Sequence, residues 1–199
     1  MVDRHFQEVF GRGQTVHLTS FWLEQALLDG RLQWKLGRVT VGEDFAAFSC
    51  DFQNLTFCGS QPGNLVGDYW VNWPTSQWGT RLRLDASART YLQLGVYQVN
   101  PTYLDDRWAR RHGWKLDNPD GTIGALVPLE FGWTPQVRGR SGSYKFGAWY
   151  SSANGDDVVL DVAGQPRVLT GEPALQRGGR YGGYINFEQQ LSGLAGEDG

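Results

Sequence analysis

A chain of 199 residues ordinarily makes one domain, or two small ones. With 18 basic against 21 acidic residues the net charge is −3, which argues against a nucleic-acid-binding protein. Glycine at 27, tryptophan at 9 and aromatics at 14% exclude a helical bundle and point to β-structure with many turns. Mean hydropathy of −0.43 suits a water-soluble protein. No run approaches the roughly 20 consecutive apolar residues of a transmembrane helix. Membrane β-barrels stay open, because their strands alternate and average out near neutral.

The amino end, MVDRHFQEVF, has no apolar core of a secretory signal and no small-residue cleavage site. The chain is therefore expected to be cytosolic or to belong to a longer protein. The first element is TVHLTSFWLEQALL, residues 15–28, then Asp29-Gly30 and RLQWKLGRVT. Asp-Gly between extended apolar runs is a strong hairpin signal, since a type I′ turn needs positive φ at both positions. Leu32, Trp34 and Leu36 alternate with Gln33, Lys35 and Gly37. That period of two predicts a strand. The first run is less regular, but its aromatic and β-branched content and the following turn favour strand over helix.

Residues 41–78 form a long stretch without a period and hold both cysteines, Cys50 and Cys58, in SCDFQNLTFCG. No zinc set is assembled, because His5, His17 and His112 are scattered. The spacing also differs from a redox C-x-x-C. The pair reads as a disulfide closing a small loop, which would imply an oxidising compartment; two unrelated buried thiols are the alternative. Further hairpins follow. Leu82 and Leu84 oppose Arg81, Arg83 and Asp85, and Leu92, Leu94 and Val96 oppose Tyr91, Gln93, Gly95 and Tyr97. Residues 125–134 and 143–152 alternate in the same way, joined by the short PQVRGRSG, and 181–188 form the last run. Residues 100–121 and 153–178 read as long loops.

The connections run short, long, short, long, short, long. A soluble sandwich has no reason to sort loop lengths by end, whereas outer-membrane barrels place tight turns on the periplasmic side and long loops outside. One face of most strands is apolar with aromatics toward its ends: Trp133, Tyr144, Tyr150 and Tyr181. This matches a lipid-facing band with interfacial girdles. A soluble carbohydrate-binding β-sandwich, whose core also alternates, is the competing reading. The opposite face carries Glu24, Lys35, Arg81, Arg83, Asp85, Glu130, Lys145 and Glu188. In a lumen these would supply donors and acceptors for hydroxyl-rich solutes, and Trp149, Tyr97 and Tyr184 could stack on sugar rings. Arg81 and Arg83, two steps apart, are the most pointed pair; generic polar interior residues are the bland alternative for each. No GxSxG, HExxH, Walker loop or dinucleotide fingerprint is present, and no enzyme activity, metal or cofactor is expected. Asp105-Asp106 and Asp156-Asp157 fall in loops, as solvated charge or weak calcium contacts.

Several stretches resemble one family: QEVFGRGQT, EQALLDGRLQWKLGR, CDFQNLTFCG, YWVNWPTSQWGTRLRL, YLQLGVYQVNP, LEFGW and SYKFGAWY are similar to carbohydrate-selective porins of the OprB type. The resemblance covers roughly residues 6–190 of a single segment, 1–199, with 191–199 expected as a disordered tail. It implies an all-β fold, an antiparallel up-and-down transmembrane β-barrel in a Gram-negative outer membrane. Mono- or oligosaccharides would diffuse passively through it, outer-membrane lipid would surround it, and association of barrels is left open. It also implies that Cys50 and Cys58 pair in an external loop. The sugar path would fall on Arg81, Arg83, Glu24, Lys145 and Trp149, with Lys35, Tyr97 and Glu130 joining from the facing pattern. The family closes about sixteen strands, while seven are clear here and HFQEVF would be an eighth. The expectation is therefore a partial barrel, its sheet curved and open with two unpaired edges.

Overall fold

The computed structural model describes residues 16–49, 59–66 and 69–193. HFQEVF, residues 194–199 and the Cys50–Cys58 pair with its expected disulfide lie outside them.

In chain order the elements are β1 (Phe21–Leu27), β2 (Leu32–Val39), the helical turn α1 (Val41–Asp44), β3 (Ala47–Phe48), β4 (Gly59–Ser60) and α2 (Gln61–Val66). They continue with β5 (Gln77–Ser87), β6 (Thr90–Val99), a 3-10 turn at Pro101–Leu104 and α3 (Asp106–His112). The rest are β7 (Gly124–Trp133), β8 (Gln136–Val137), β9 (Arg140–Ser151), β10 (Gly155–Asp161), α4 (Arg167–Thr170), β11 (Ala174–Arg177) and β12 (Arg180–Gln189). Seven strands form one antiparallel sheet in the order β1-β2-β5-β6-β7-β9-β12, and β8 pairs with the start of β9. Apart from the short β8, each strand follows its predecessor in the chain, as an up-and-down wall requires. Within the described residues β1 and β12 each have one unpaired edge.

Most of the predicted strands are found with little change; the run at 90–99 coincides with β6. The first is shorter than expected, since strand begins only at Phe21. Its turn is one residue longer. Positive φ begins at Leu28 and continues through Asp29 and Gly30, and Arg31 N–H bonds Leu28 O at 3.1 Å across the Asp-Gly pair. The PQVRGRSG connection tightens further: β8 extends the hairpin, and Val137 faces Arg140 across a two-residue Arg138-Gly139 turn with positive φ at both positions.

The pleat sorts side chains by period. Leu82, Leu84, Leu92, Leu94, Leu129, Phe131 and Phe146 are exposed, while Lys35, Arg81, Gln93 and Glu130 on the other face are buried. A soluble sandwich would do the reverse and bury its apolar face against a second sheet. Aromatics edge the apolar face in paired rows: Trp133 opposite Tyr144 opposite Phe187, and Val127 opposite Tyr150 opposite Tyr181. Two rows lie between them, Leu94-Leu129-Ala148-Gly183 and Leu92-Phe131-Phe146-Ile185. No helix among the described residues is long and apolar enough to cross a membrane, which says nothing of strands.

The long connections are more ordered than expected. The stretch 153–178 holds the two-stranded sheet β10–β11 and the turn α4. Asp105 caps α3 by accepting Trp108 N–H at 2.7 Å, so it is a structural cap rather than a free loop charge. Asp157 accepts the amides of Leu160 at 2.8 Å and Val159 at 2.9 Å, and Arg177 Nε at 2.8 Å. These bonds, the Leu160 amide first, hold its carboxyl at about 2 against an ordinary 3.8.

Two measurements test this architecture. Leu129→Lys puts a charge midway between the aromatic rows; in hydrocarbon it should cost about 2–4 kcal/mol, read from denaturant midpoints in phospholipid vesicles. A cost near zero would mean that the face meets water. Because the folded carboxyl of Asp157 titrates below its unfolded value, its stabilisation is present above pH 3.8 and lost as pH falls through about 2. Amide protection in β10–β11 should therefore persist at pH 4 and fall toward pH 2, and Asp157→Asn should flatten that dependence.

Candidate pore-lining site

The polar face of the sheet is covered by a segment of its own chain. After β2, residues 40–48 turn inward, and residues 59–66 and 69–76 return beside them. Thr40 Oγ1 donates to Thr75 O at 2.9 Å, and Gly42 N–H to Val71 O at 3.3 Å. Ser60 Oγ donates to Phe45 O and accepts from Trp70 Nε1, both at 2.9 Å. Val39, Val41, Phe45, Tyr69, Trp70, Tyr97 and Leu126 form a small apolar core between this segment and the wall.

Two carboxylates pin the segment. The first belongs to the segment itself. Asp44 accepts Lys35 Nζ at 3.0 Å from β2, Arg81 Nη1 at 3.0 Å from β5 and Tyr97 Oη at 3.3 Å from β6. Arg81 Nη2 continues to Glu24 on β1 at 3.0 Å. Asp44 thus joins three adjacent strands directly and a fourth, β1, through Arg81. The second belongs to the wall. Glu130 on β7 is 1% exposed, and its two oxygens take four donors: Tyr91 Oη at 2.7 Å, Gln93 Nε2 at 2.8 Å, Tyr184 Oη at 2.6 Å and the Ala46 amide at 2.8 Å. Such full satisfaction is what makes a buried carboxylate tolerable. Space for the rings comes from glycine: a Cβ on Gly132 would lie 2.0 Å from the Tyr91 ring, and one on Gly147 2.1 Å from that of Tyr184. Lys145 Nζ on β9 donates to Ala47 O, and Asn186 Nδ2 on β12 to Ala46 O at 3.3 Å.

Of the residues expected from sequence, Lys35, Arg81, Glu24 and Tyr97 are brought together around Asp44, and Glu130 and Lys145 around the Ala46–Ala47 backbone. Arg83 stands apart from Asp44. It pairs with Asp85 at 3.0 Å and stacks over the Tyr91 ring at 3.9 Å. Trp149 lies against Trp70, with ring centroids 5.4 Å apart, and against Tyr184 at 6.3 Å. Asp44, Gln93, Trp70 and Asn186 are absent from the expected set. The one signal for Asp44 is an acidic pair, Glu43-Asp44, in a stretch without period, which does not show that it turns onto the wall.

Asp44→Asn removes the charge shared by two buried cations. It should loosen the segment rather than the wall: exchange of the Phe45 and Ala46 amides should speed by about tenfold, equivalent to about 1.4 kcal/mol, with β5 and β6 amides unchanged. Exchange that rises equally in all of them would show the pin to be a general stability contact.

The chain matches the family described as carbohydrate-selective porin, OprB family, over residues 4–197. It is similar to Porin B of Pseudomonas aeruginosa, 46% identical over 193 residues that make up 96% of this chain and 41% of that protein. It is also similar to a high-pH structure of Pseudomonas putida OprB, with a TM-score of 0.86 and 45% identity, covering 94% of this chain and 43% of that one. The chain thus spans about two-fifths of the length of these relatives. Its exposed apolar face and its antiparallel wall are those of a porin barrel, here in part. The chain belongs to the OprB family of carbohydrate-selective porins, outer-membrane β-barrels of Gram-negative bacteria.

Proposed function

We propose that this chain forms part of the wall of an outer-membrane channel through which sugars diffuse passively, and supplies a segment that narrows its lumen. The observation that carries this reading is the inward segment, pinned by Asp44 and Glu130 to the polar face of a sheet whose other face is apolar. Fixed donors, carboxylates and rings on that face suit a hydroxyl-rich solute. The solute is a mono- or oligosaccharide, in keeping with the family.

The residues divide by role. Glu24 and Arg83 keep about a third of their side chains exposed, 31% and 32%, and with Trp149 they are the groups offered to the solute, while Lys145, donating to Ala47 O, borders that path and holds the segment. Arg81 and Lys35 act between solute and segment, placing a positive field beside the narrowing. Tyr97 and Glu130, at 0% and 1% exposure, act from behind by holding the segment in place.

The test is conductance of the complete barrel carrying this sequence in planar bilayers. Glucose-type sugars should reduce the ion current in a saturable way. Trp149→Ala should weaken that block by roughly two- to tenfold, the range of one lost ring contact, with ion conductance retained. Current that is insensitive to sugars would count against the proposal.

A further inference from the structure

The inward segment explains the charges of the lumen face; it leaves another set of charges without a role. Each of the three short turns carries arginine: Arg31 in the first, Arg89 in the second, and Arg138 with Arg140 in the third. All three turns lie at the same end of the sheet, because β1, β5 and β7 run toward it and β2, β6 and β9 run away. They are also stitched side by side. Arg31 O accepts the Asp85 amide at 2.8 Å, and Arg89 O accepts the Thr134 amide at 2.8 Å. Successive turns stand two strands apart, roughly 10 Å. Arg31, Arg89 and Arg138 are exposed and Arg140 is half-exposed. None of the four forms an ion pair among the described residues. The acidic groups near them are Asp29, in the first turn, Asp85, already bonded to Arg83 and Gln33, and Glu188 on β12.

Directly beside this basic rim lies the aromatic row Trp133-Tyr144-Phe187, and beyond it the apolar face is dented. Ala148 and Gly183 face each other between larger neighbours. With Leu129, Phe131, Phe146 and Ile185 they line a shallow groove of about 600 Å³. From Arg140 to Phe146 is about 20 Å along the strand, within reach of a chain anchored at the rim. A headgroup bearing a phosphate would meet several guanidinium groups, whose planar donors match its oxygens two at a time. An attached hydrocarbon would meet the groove.

We propose that the short-turn end of this wall is a docking surface for an anionic phospholipid, its phosphate held by Arg138, Arg140 and Arg89 and one acyl chain seated in the Ala148–Gly183 groove. Charge complementarity and continuity with the lipid-facing band select this occupant. The short turns are the periplasmic end of such barrels, so the lipid belongs to the leaflet that faces the periplasm. The site is independent of what passes through the lumen.

The experiment uses the complete barrel in detergent, with phosphatidylglycerol and phosphatidylcholine of matched chains competing for it, and bound lipid counted by native mass spectrometry. Phosphatidylglycerol should be retained at least fivefold in preference, and molar salt should erode the preference. Arg89→Gln with Arg138→Gln and Arg140→Gln should abolish the preference while heat-modifiable migration and ion conductance persist. The corresponding lysine variants should retain part of it. Ala148→Phe should lower retention of both lipids. Equal binding of the two lipids, a preference that survives the glutamine variants, or displacement of phosphatidylglycerol by lipopolysaccharide at the rim would each overturn the proposal.

Discussion

Inside hydrocarbon no water completes a backbone hydrogen bond, so every amide and carbonyl of this wall must find its partner on a neighbouring strand. The arrangement of the chain follows from that requirement. Adjacent strands are sequence neighbours, pairing is antiparallel, and excursions are made only where the chain has left the band between its two aromatic rows. Lateral pairing leaves the side chains free to sort themselves between two environments, which they do with a period of two. The exposed leucines and phenylalanines are therefore in their proper medium. Trp34 shows how a polar atom is managed there: its indole N–H reaches Thr80 Oγ1 at 2.8 Å on the same exposed face.

The inner face follows a different logic. Its carboxylates are acceptors around which neutral and cationic donors converge, and each of the two principal ones is shared between wall and inward segment. Buried charge of this kind contributes more to geometric definition than to net stability. In the proposed channel such definition would matter, since the width of the narrowing would be set by where the segment rests. The opposed roles of Asp44 and Glu130 give that rest position two anchors two residues apart on the segment, at Asp44 itself and at the Ala46 amide.

The wall was legible because its signals are local. Alternation marks the faces at Leu82 and Arg81 or at Leu94 and Gln93, the Asp29-Gly30 pair marks a turn that the structure forms with positive φ, and the order of loop lengths marks the two ends. The polar face was likewise readable, since Lys35, Arg81, Glu130 and Lys145 alternate with lipid-facing residues. What joins them was not. Asp44 lies in a stretch without period, and its partners are 9, 37 and 53 residues away in the chain. Residues 153–178 read as loop for a related reason. Their strands are short, irregularly registered and stabilised by carboxylate-to-amide bonds at Asp157 and Asp161, which leave no hydrophobic pattern. Folded onto the wall, several polar residues expected to line a solute path, among them Lys35, Arg81 and Glu130, hold the inward segment instead.

The reach of the inward segment also sets an order of events. Its contacts with Glu130, Lys145 and Asn186 close loops of 84, 98 and 140 residues, whereas the three tight hairpins of the wall close over a few residues and its long connections join strand ends 25 to 38 residues apart, from Val99–Gly124 to Val39–Gln77. Long closures carry the larger entropic cost and are rewarded only after the strands that supply the partners are aligned. Loop-closure entropy therefore favours alignment of the wall strands before the segment's farthest contacts, those with Glu130, Lys145 and Asn186, are made. Continuity of the wall and placement of the segment thus rest on different contacts: backbone ladders for the first, the carboxylates of Asp44 and Glu130 for the second.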